Sequence, residues 1–257
     1  MKGKLSVIGL GPGFEDYIIP AARKSLDAAD IIVGYHKYLK LIENLISEKE
    51  KLGTGMRKEI ERVKIALDQA AKGKKVCLVS SGDAGVYGMA GLALELLSQH
   101  ESTNIDLDIV PGITAASSCA ALLGAPLMHD FAVISLSNLL TDSDLIKKRL
   151  VLAAEGDFVT VLYNPKSSKR TVLLEEARNI FLEKRAENTP VGIVKNGYRE
   201  SSSVAISTIK ELPGMYDQID MTTTLIIGNS HTFNWGEYMV TPRGYDLSSS
   251  TSTNKQL

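Results

Sequence analysis

Two strand-to-helix turns constrain what this chain can fold into. Gly82-Asp83-Ala84-Gly85-Val86-Tyr87-Gly88 follows the apolar run Val76 to Val79, and Val110-Pro111-Gly112-Ile113-Thr114-Ala115-Ala116 closes a second run that starts at Leu107. Each turn opens a helical pattern made of small residues. Turns of this kind at the carboxyl ends of parallel strands build a ligand cleft. Glycine and alanine let backbone amides and carbonyls come close to a ligand, because little or no side chain stands in the way. The pattern predicts that the two turns lie side by side on one parallel sheet.

Strand and helix alternate from the start of the chain. Lys4 to Ile8 reads as a strand, Ile18 to Ala29 as a helix with Pro20 in its first turn, and Ile31 to Val33 as a short buried strand. Arg57 to Lys72 is an amphipathic helix whose Ile60, Val63, Leu67 and Ala70 recur at helical spacing, with Gly73 where a C-cap belongs. Strand 75–79, helix 89–98, strand 106–110 and helix 114–123 follow, and Gly124-Ala125-Pro126 interrupts the pattern. Beyond it, strands are expected near 131–135, 157–162, 190–194, 202–207 and 223–227, with helices near 142–154 and 171–185. The first half suits a parallel sheet; directly succeeding strands in the second half suit a mixed one. The expectation is an α/β protein of two domains, residues 1–125 and 126–247, with a cleft between them. A Ser- and Thr-rich tail at 248–257 lacks apolar periodicity and reads as disordered.

The net charge of −1 gives no bulk electrostatic reason to expect nucleic acid or an anionic membrane as partner. No apolar run approaches the ~18–20 residues that cross a bilayer, and the N-terminus has no signal-peptide core. A cytoplasmic protein is expected. The two cysteines, Cys77 and Cys119, stand far apart in apolar or small-residue segments, which is how buried thiols look; no spacing suggests a metal site.

Val7-Ile8-Gly9-Leu10-Gly11-Pro12-Gly13 resembles a dinucleotide fingerprint only at first sight. The third glycine would fall at Phe14, Pro12 has no N–H for a pyrophosphate, and the next strand ends in Gly34-Tyr35 rather than in an acidic residue. No G-x-x-x-x-G-K-[ST] occurs, which excludes a P-loop.

Taken together, six ordered motifs resemble the tetrapyrrole (cobalamin and sirohaem) methyltransferases. They are Gly9 to Gly13, Gly82-Asp83-Ala84-Gly85, Pro111 to Ala115, Tyr163-Asn164-Pro165, Pro190 to Val194, and Thr222 to Gly228. The resemblance runs from residue 4 to about residue 247. It implies a two-domain α/β fold, S-adenosylmethionine as methyl donor with S-adenosylhomocysteine as product, a tetrapyrrole substrate and a homodimer. Gly34-Tyr35, Thr54 to Arg62, Ser80 to Ala90, Leu122 to Asp130 and Thr241 to Tyr245 are similar to one branch of the family. That branch methylates carbon 17 of a precorrin-3B or cobalt-factor III type precursor and contracts the ring. Gly-Asp-Ala, where relatives often have Gly-Asp-Pro, also fits it.

Carried over by position, the resemblance implies donor contacts at Pro12, Gly82, Asp83, Val86, Tyr87, Thr114, Ala115, Tyr163, Asn164, Gly192, Thr223 and Thr224. Thr114 begins a helix, whose free N–H groups suit a carboxylate. Asp83 has a second reading as a turn residue bonding its own backbone, and Tyr163 and Asn164 as an ordinary strand end. Arg57, Lys58, Arg62, Lys166, Lys169, Arg170 and Lys195 lie in segments that could meet substrate carboxylates, with Arg57 and Lys195 the leading candidates; solvated surface is the alternative for each. His129, beside Asp130, is the candidate acid/base for ring contraction or else a hydrogen-bonded structural histidine. Methyl transfer is an in-line displacement that needs placement rather than a nucleophilic side chain, so the lack of a Ser/His/Asp or Cys/His constellation is expected.

Overall fold

The computed structural model describes residues 2–99, 105–168 and 170–247; the tail at 248–257, His100 and Lys169 lie outside the described residues. The chain forms two compact units, one of Met1–Ser118 with Tyr198–Glu200, the other of Cys119–Gly197 with the chain from Ser201 onward.

The first unit runs β1 (Gly3–Gly9), α1 (Pro20–Ala28), β2 (Ile31–Tyr35), α2 (His36–Leu41), β3 (Glu50–Thr54), α3 (Glu59–Ala71), β4 (Lys75–Ser80), α4 (Ala90–Ser98) and β5 (Ile105–Val110), and ends in α5 (Ala115–Leu123), within which the units divide. Its strands are all parallel, in the order β3-β2-β4-β1-β5. The three central strands, β2, β4 and β1, are buried on both faces because helices cover both. Leu5, Val7, Val33 and Leu78 pack with Val63 and Leu67 of α3 and Ala93 of α4. Ile8, Ile32 and Val79, on alternate positions, pack with Ala22 and Leu26 of α1.

One expectation changes. β4 and β5 are not neighbours: β1 lies between them, so the Gly9–Gly13 turn sits between the two turns first singled out. α3 also starts later than its periodicity suggests, since Arg57 adopts a left-handed conformation with φ 63°. Val63, Leu67 and Ala70 are buried as expected, but Ile60 is 56% exposed and Arg62 takes a buried position. The Arg62 Nε donates to Thr54 Oγ1 at 2.8 Å and Nη2 to the Gly55 carbonyl at 2.9 Å. Its guanidinium lies 5.8 Å from the Tyr35 ring centroid. Burial lowers its pKa from the usual arginine value.

The second unit contains β6 (Gly124–Ala125), β7 (Phe131–Ser135), α6 (Ser143–Glu155), β8 (Val159–Tyr163), α7 (Val172–Lys184), β9 (Pro190–Lys195), β10 (Ser203–Thr208), β11 (Thr223–Ile227), β12 (Phe233–Trp235) and β13 (Tyr238–Val240). The main sheet, β10-β9-β11-β8-β7, is mixed, as the directly succeeding strands require: β7 and β8 run parallel and the other pairs antiparallel. Leu162, Ile193 and Leu225 meet Leu150 of α6 and Phe181 of α7 in one core. A small second sheet, β12-β13-β6, was not expected from the sequence.

Neither cysteine is in a disulfide, and both are buried. The Cys77 Sγ donates to the Ser25 carbonyl at 3.1 Å, and burial pushes the thiol up to about 12. Since the thiolate is the nucleophile, iodoacetamide at pH 8 is expected to leave Cys77 unmodified in the native protein and to alkylate it in urea. Rapid native labelling at Cys77, read by peptide mass spectrometry, would contradict this burial. Among the described residues, no helix is long and apolar enough to cross a membrane.

Candidate active site

The carboxyl ends of β4, β1 and β5 meet backbone to backbone. Gly11 and Gly82, with φ of 73° and 69°, exchange two hydrogen bonds: Gly11 N to Gly82 O at 3.0 Å and Gly82 N to Gly11 O at 2.7 Å. A Cβ on Gly9 would lie 2.6 Å from the Gly82 oxygen and 2.7 Å from the Gly112 nitrogen. One on Gly112 would lie 2.2 Å from the Gly82 oxygen and 2.7 Å from the Gly9 carbonyl carbon and oxygen. Only glycine permits this approach at Gly9 and Gly112.

Asp83 fastens the junction. Its Oδ1 accepts from Gly85 N at 2.7 Å and Val86 N at 3.1 Å, and its Oδ2 accepts from Gly112 N at 2.8 Å. The carboxylate therefore closes its own turn and ties the loop after β4 to the loop after β5. Beyond it Val86 is 38% exposed and Tyr87 60%, the latter with φ 52°. A Cβ on Gly82 would meet nothing nearer than Thr114 Cα at 3.9 Å, so space opens between these loops. Thr114 and Ala115 are half-buried at the start of α5, where the Thr114 carbonyl accepts from Ser118 N at 3.1 Å. Pro12 is buried, and its carbonyl accepts from Arg199 Nε at 2.6 Å. The Ser80 hydroxyl, at the end of β4, is buried with no hydrogen-bond partner among the described residues.

In the second unit, one sheet edge carries most of the other expected residues. Tyr163 ends β8 opposite Ser135 of β7, and Thr223 opens β11 opposite Lys195 of β9. Asn164, left-handed at φ 52°, donates from Nδ2 to Ser135 Oγ at 3.0 Å. Thr223 and Thr224 are buried. Lys195 Nζ is 2.8 Å from Asp220 Oδ2. Burial of the Asp220 carboxyl is outweighed by hydrogen bonds from Lys195 and Thr222, which hold it below the usual carboxylate range.

Two residues fall away from that edge. Gly192 is buried inside β9, where its missing Cβ makes room for Leu123: an added Cβ would come 2.3 Å from Leu123 Cδ1. His129 precedes β7 at the opposite edge, marked by the Phe131–Val159 pair, so the length of β7, roughly 13 Å, separates it from the Ser135–Tyr163 end. Its Nδ1 accepts from Asp130 N at 2.9 Å and lies 3.9 Å from Asp130 Oδ2, and both side chains are exposed.

The basic residues divide. Arg57 is exposed, Lys58 pairs with Glu61 at 2.8 Å, and Arg62 is buried. Lys166 Nζ donates to the Tyr216 carbonyl at 2.5 Å and Arg170 Nη1 to the Leu136 carbonyl at 2.9 Å. Arg62, one of the candidates for the substrate carboxylates, is instead engaged inside the first unit, and no local sequence signal marks Arg199.

Glycine-lined turns at the carboxyl edge of a parallel sheet, followed by a mixed-sheet unit, define a class, and the comparisons agree with it. The chain matches the model of the tetrapyrrole (corrin/porphyrin) methylases over residues 4–213 and belongs to that family. It is 47% identical over 248 residues to a cobalt-factor III methyltransferase of Priestia megaterium, covering 95% of this chain and 46% of that protein. It is 44% identical over 243 residues to a Salmonella typhimurium protein named "Probable cobalt-factor III C(17)-methyltransferase", covering 95% of this chain and 100% of the other. The chain thus spans about half of the first relative (46%) and all of the second. The crystal structure of the methyltransferase CobJ superposes with a TM-score of 0.85 at 34% identity, over 93% of this chain and 100% of that one.

Proposed function

We propose that this chain transfers a methyl group from S-adenosylmethionine to carbon 17 of a precorrin-3B or cobalt-factor III type precursor, with ring contraction, in cobalamin biosynthesis. The observation that carries the reading is the backbone junction of Gly9, Gly82 and Gly112 in a chain of this family; of the relatives above, one is named a cobalt-factor III methyltransferase and the other a probable cobalt-factor III C(17)-methyltransferase.

The residues at the junction suit such a donor. The space beside Gly82 is bounded by backbone of the loop before α5, at Thr114 Cα and the Ile113 oxygen, and Val86 and Tyr87 are exposed on the loop that Gly82 opens. Asp83 has both oxygens engaged by amides, so it braces the pocket wall. Amides at the start of α5 favour an anionic group, and the exposed faces of Val86 and Tyr87 favour an aromatic one. When bound, S-adenosylmethionine supplies an electrophilic methyl on a sulfonium. The chain's part is to hold that methyl in line with the accepting carbon, which rigid backbone does without a nucleophile.

Arg57 and Lys195 are assigned to the substrate's carboxylates, the latter in exchange for its bond to Asp220. His129 is assigned to proton movement during contraction on its place beside Asp130 alone, since the sheet keeps it from the Lys195 edge. A cytoplasmic homodimer belongs to the same reading.

Calorimetric titration with S-adenosylhomocysteine tests the donor site. Transfer of labelled methyl to cobalt-charged and metal-free trimethylated precursors, read by mass spectrometry, tests the reaction. Ala115→Trp is expected to weaken S-adenosylhomocysteine binding by more than about tenfold, because an indole would fill the pocket, while the circular dichroism spectrum stays unchanged. Unaltered affinity in that variant would move the donor elsewhere, and methylation at another carbon would reject the assigned position.

A further inference from the structure

The Gly9–Gly13 turn is held by a segment of the first unit that the chain supplies 187 residues later. Arg199 donates from Nε to the Pro12 carbonyl at 2.6 Å and from Nη2 to the Ser81 hydroxyl. One guanidinium thus spans the two loops that the Gly11–Gly82 bridge joins, gripping each at the residue adjacent to the bridge. The neighbouring Tyr198 carbonyl accepts from Phe14 N at 2.9 Å, and the Tyr198 ring lies 4.3 Å from that of Tyr17 at an interplanar angle of 49°. A Cβ on Gly13 would stand 2.2 Å from the Tyr198 oxygen and 2.4 Å from Arg199 Cγ, so the contact is flush.

We infer that Arg199 is a positioning residue for methyl-donor binding, the bolt of a latch formed by Tyr198–Glu200; this rests on the methyltransferase reading above. Three features support a built device rather than a chance surface contact. Asn196, Tyr198 and Ser201 all have positive φ, of 51°, 57° and 60°. Non-glycine residues keep that conformation where their surroundings over-determine it. No carboxylate of the described residues lies within ion-pair distance of Arg199, so its donors serve the two loops and not a surface pair. The planar fork reaches two acceptors on different loops at once, which an ammonium cannot do with the same geometry. No atom of the latch lies within 4 Å of a Cβ placed on Gly82, so the latch leaves that space open.

Arg199→Ala is expected to raise the Kd for S-adenosylhomocysteine and the KM for the donor by about tenfold, with kcat at saturating donor within about threefold of wild type. Arg199→Lys is expected to recover part of the loss and Ser81→Ala to lose about threefold, since each keeps one grip. Amide exchange at Phe14 and Gly82 is expected to quicken in Arg199→Ala. An Arg199→Ala protein that binds S-adenosylhomocysteine within about twofold of wild type overturns the proposal, as does a fall in kcat with donor KM unchanged. Should Arg199→Ala fail to fold, Arg199→Lys and Ser81→Ala decide, and wild-type affinity in both overturns it. If the wild-type protein does not bind S-adenosylhomocysteine, the methyltransferase reading fails first. The latch is then judged by amide exchange, and unchanged rates at Phe14 and Gly82 overturn it too.

Discussion

Gly112→Ala is expected to abolish binding of S-adenosylhomocysteine and to lower the thermal midpoint of the protein. The added methyl would lie 2.2 Å from the Gly82 oxygen and 2.7 Å from the Gly9 oxygen. Neither neighbour is the end of a flexible side chain. Both are backbone atoms of loops tied to each other and, through Gly112 N and Asp83 Oδ2, to Gly112 itself. The loops must part, and the bridge between Gly11 and Gly82 strains with them. Overpacking of this kind costs about 1–3 kcal/mol, or a fall of roughly 5 °C for a chain of this size. Gly91→Ala is the matched control: its Cβ meets nothing within 4 Å and it stands in α4, so it is expected to be neutral or stabilising by about 0.5–1 kcal/mol. Calorimetry and ligand titration on both variants make the comparison. Binding within about tenfold of wild type in Gly112→Ala would show that the junction does not shape the donor site.

The elements legible in the sequence were those with both a period and an end signal. α1 starts at Pro20, and the α3 helix is closed off by Gly73 with φ 85°. α6 begins after Asp142, whose side chain accepts from Asp144 N at 2.8 Å. β3 was missed because Glu50-Lys51-Leu52-Gly53-Thr54 offers a single large apolar residue: it is an edge strand with little to bury. The β12–β13 hairpin was legible in part. Gly236, with φ 58°, sits between Trp235 and Tyr238, but strands of three residues are too short to show alternation.

At the candidate site, the turns could be read because each is local, a strand followed by glycines and small residues. That three turns meet, with β1 between the other two, depends on strand order, which no local pattern carries. Arg199 was invisible for the same reason, since its acceptors, Pro12 and Ser81, lie in other loops. Arg62, a candidate for substrate carboxylates with solvated surface as its alternative, is neither: it is buried against Thr54, Gly55 and Tyr35. His129 shows the converse: adjacency to Asp130 is real, but the strand that follows carries the chain from that edge to the other.

Arg185→Ala is expected to destabilise the second unit by about 2–3 kcal/mol, the upper range for losing hydrogen bonds made by a buried charged group. The Arg185 side chain is 1% exposed. It donates to three backbone carbonyls, those of Gly228, Ala153 at 3.3 Å and Phe158 at 2.7 Å, and its guanidinium carbon lies 4.9 Å from the Phe181 ring centroid. These acceptors come from the end of α6, the turn before β8 and the end of β11, so one side chain at the end of α7 gathers three elements. Burial lowers its pKa and the Asp157 carboxylate, 3.7 Å from Nε, opposes that shift; an arginine stays charged throughout. Truncation takes the guanidinium donor from the Gly228 carbonyl and leaves a void beside Phe181, while the Ala153 and Phe158 carbonyls keep Phe158 N at 3.1 Å and Thr160 Oγ1 at 3.0 Å. A Lys in its place has one nitrogen for three separated acceptors, so Arg185→Lys is expected to recover less than half of the loss. The measurement is calorimetry with hydrogen exchange at β8 and β11. A midpoint within about 2 °C of wild type would assign Arg185 no more than the worth of a surface residue. Because the network is confined to the second unit, S-adenosylhomocysteine affinity at temperatures well below the midpoint is expected to survive the substitution, which separates this effect from that of Gly112→Ala.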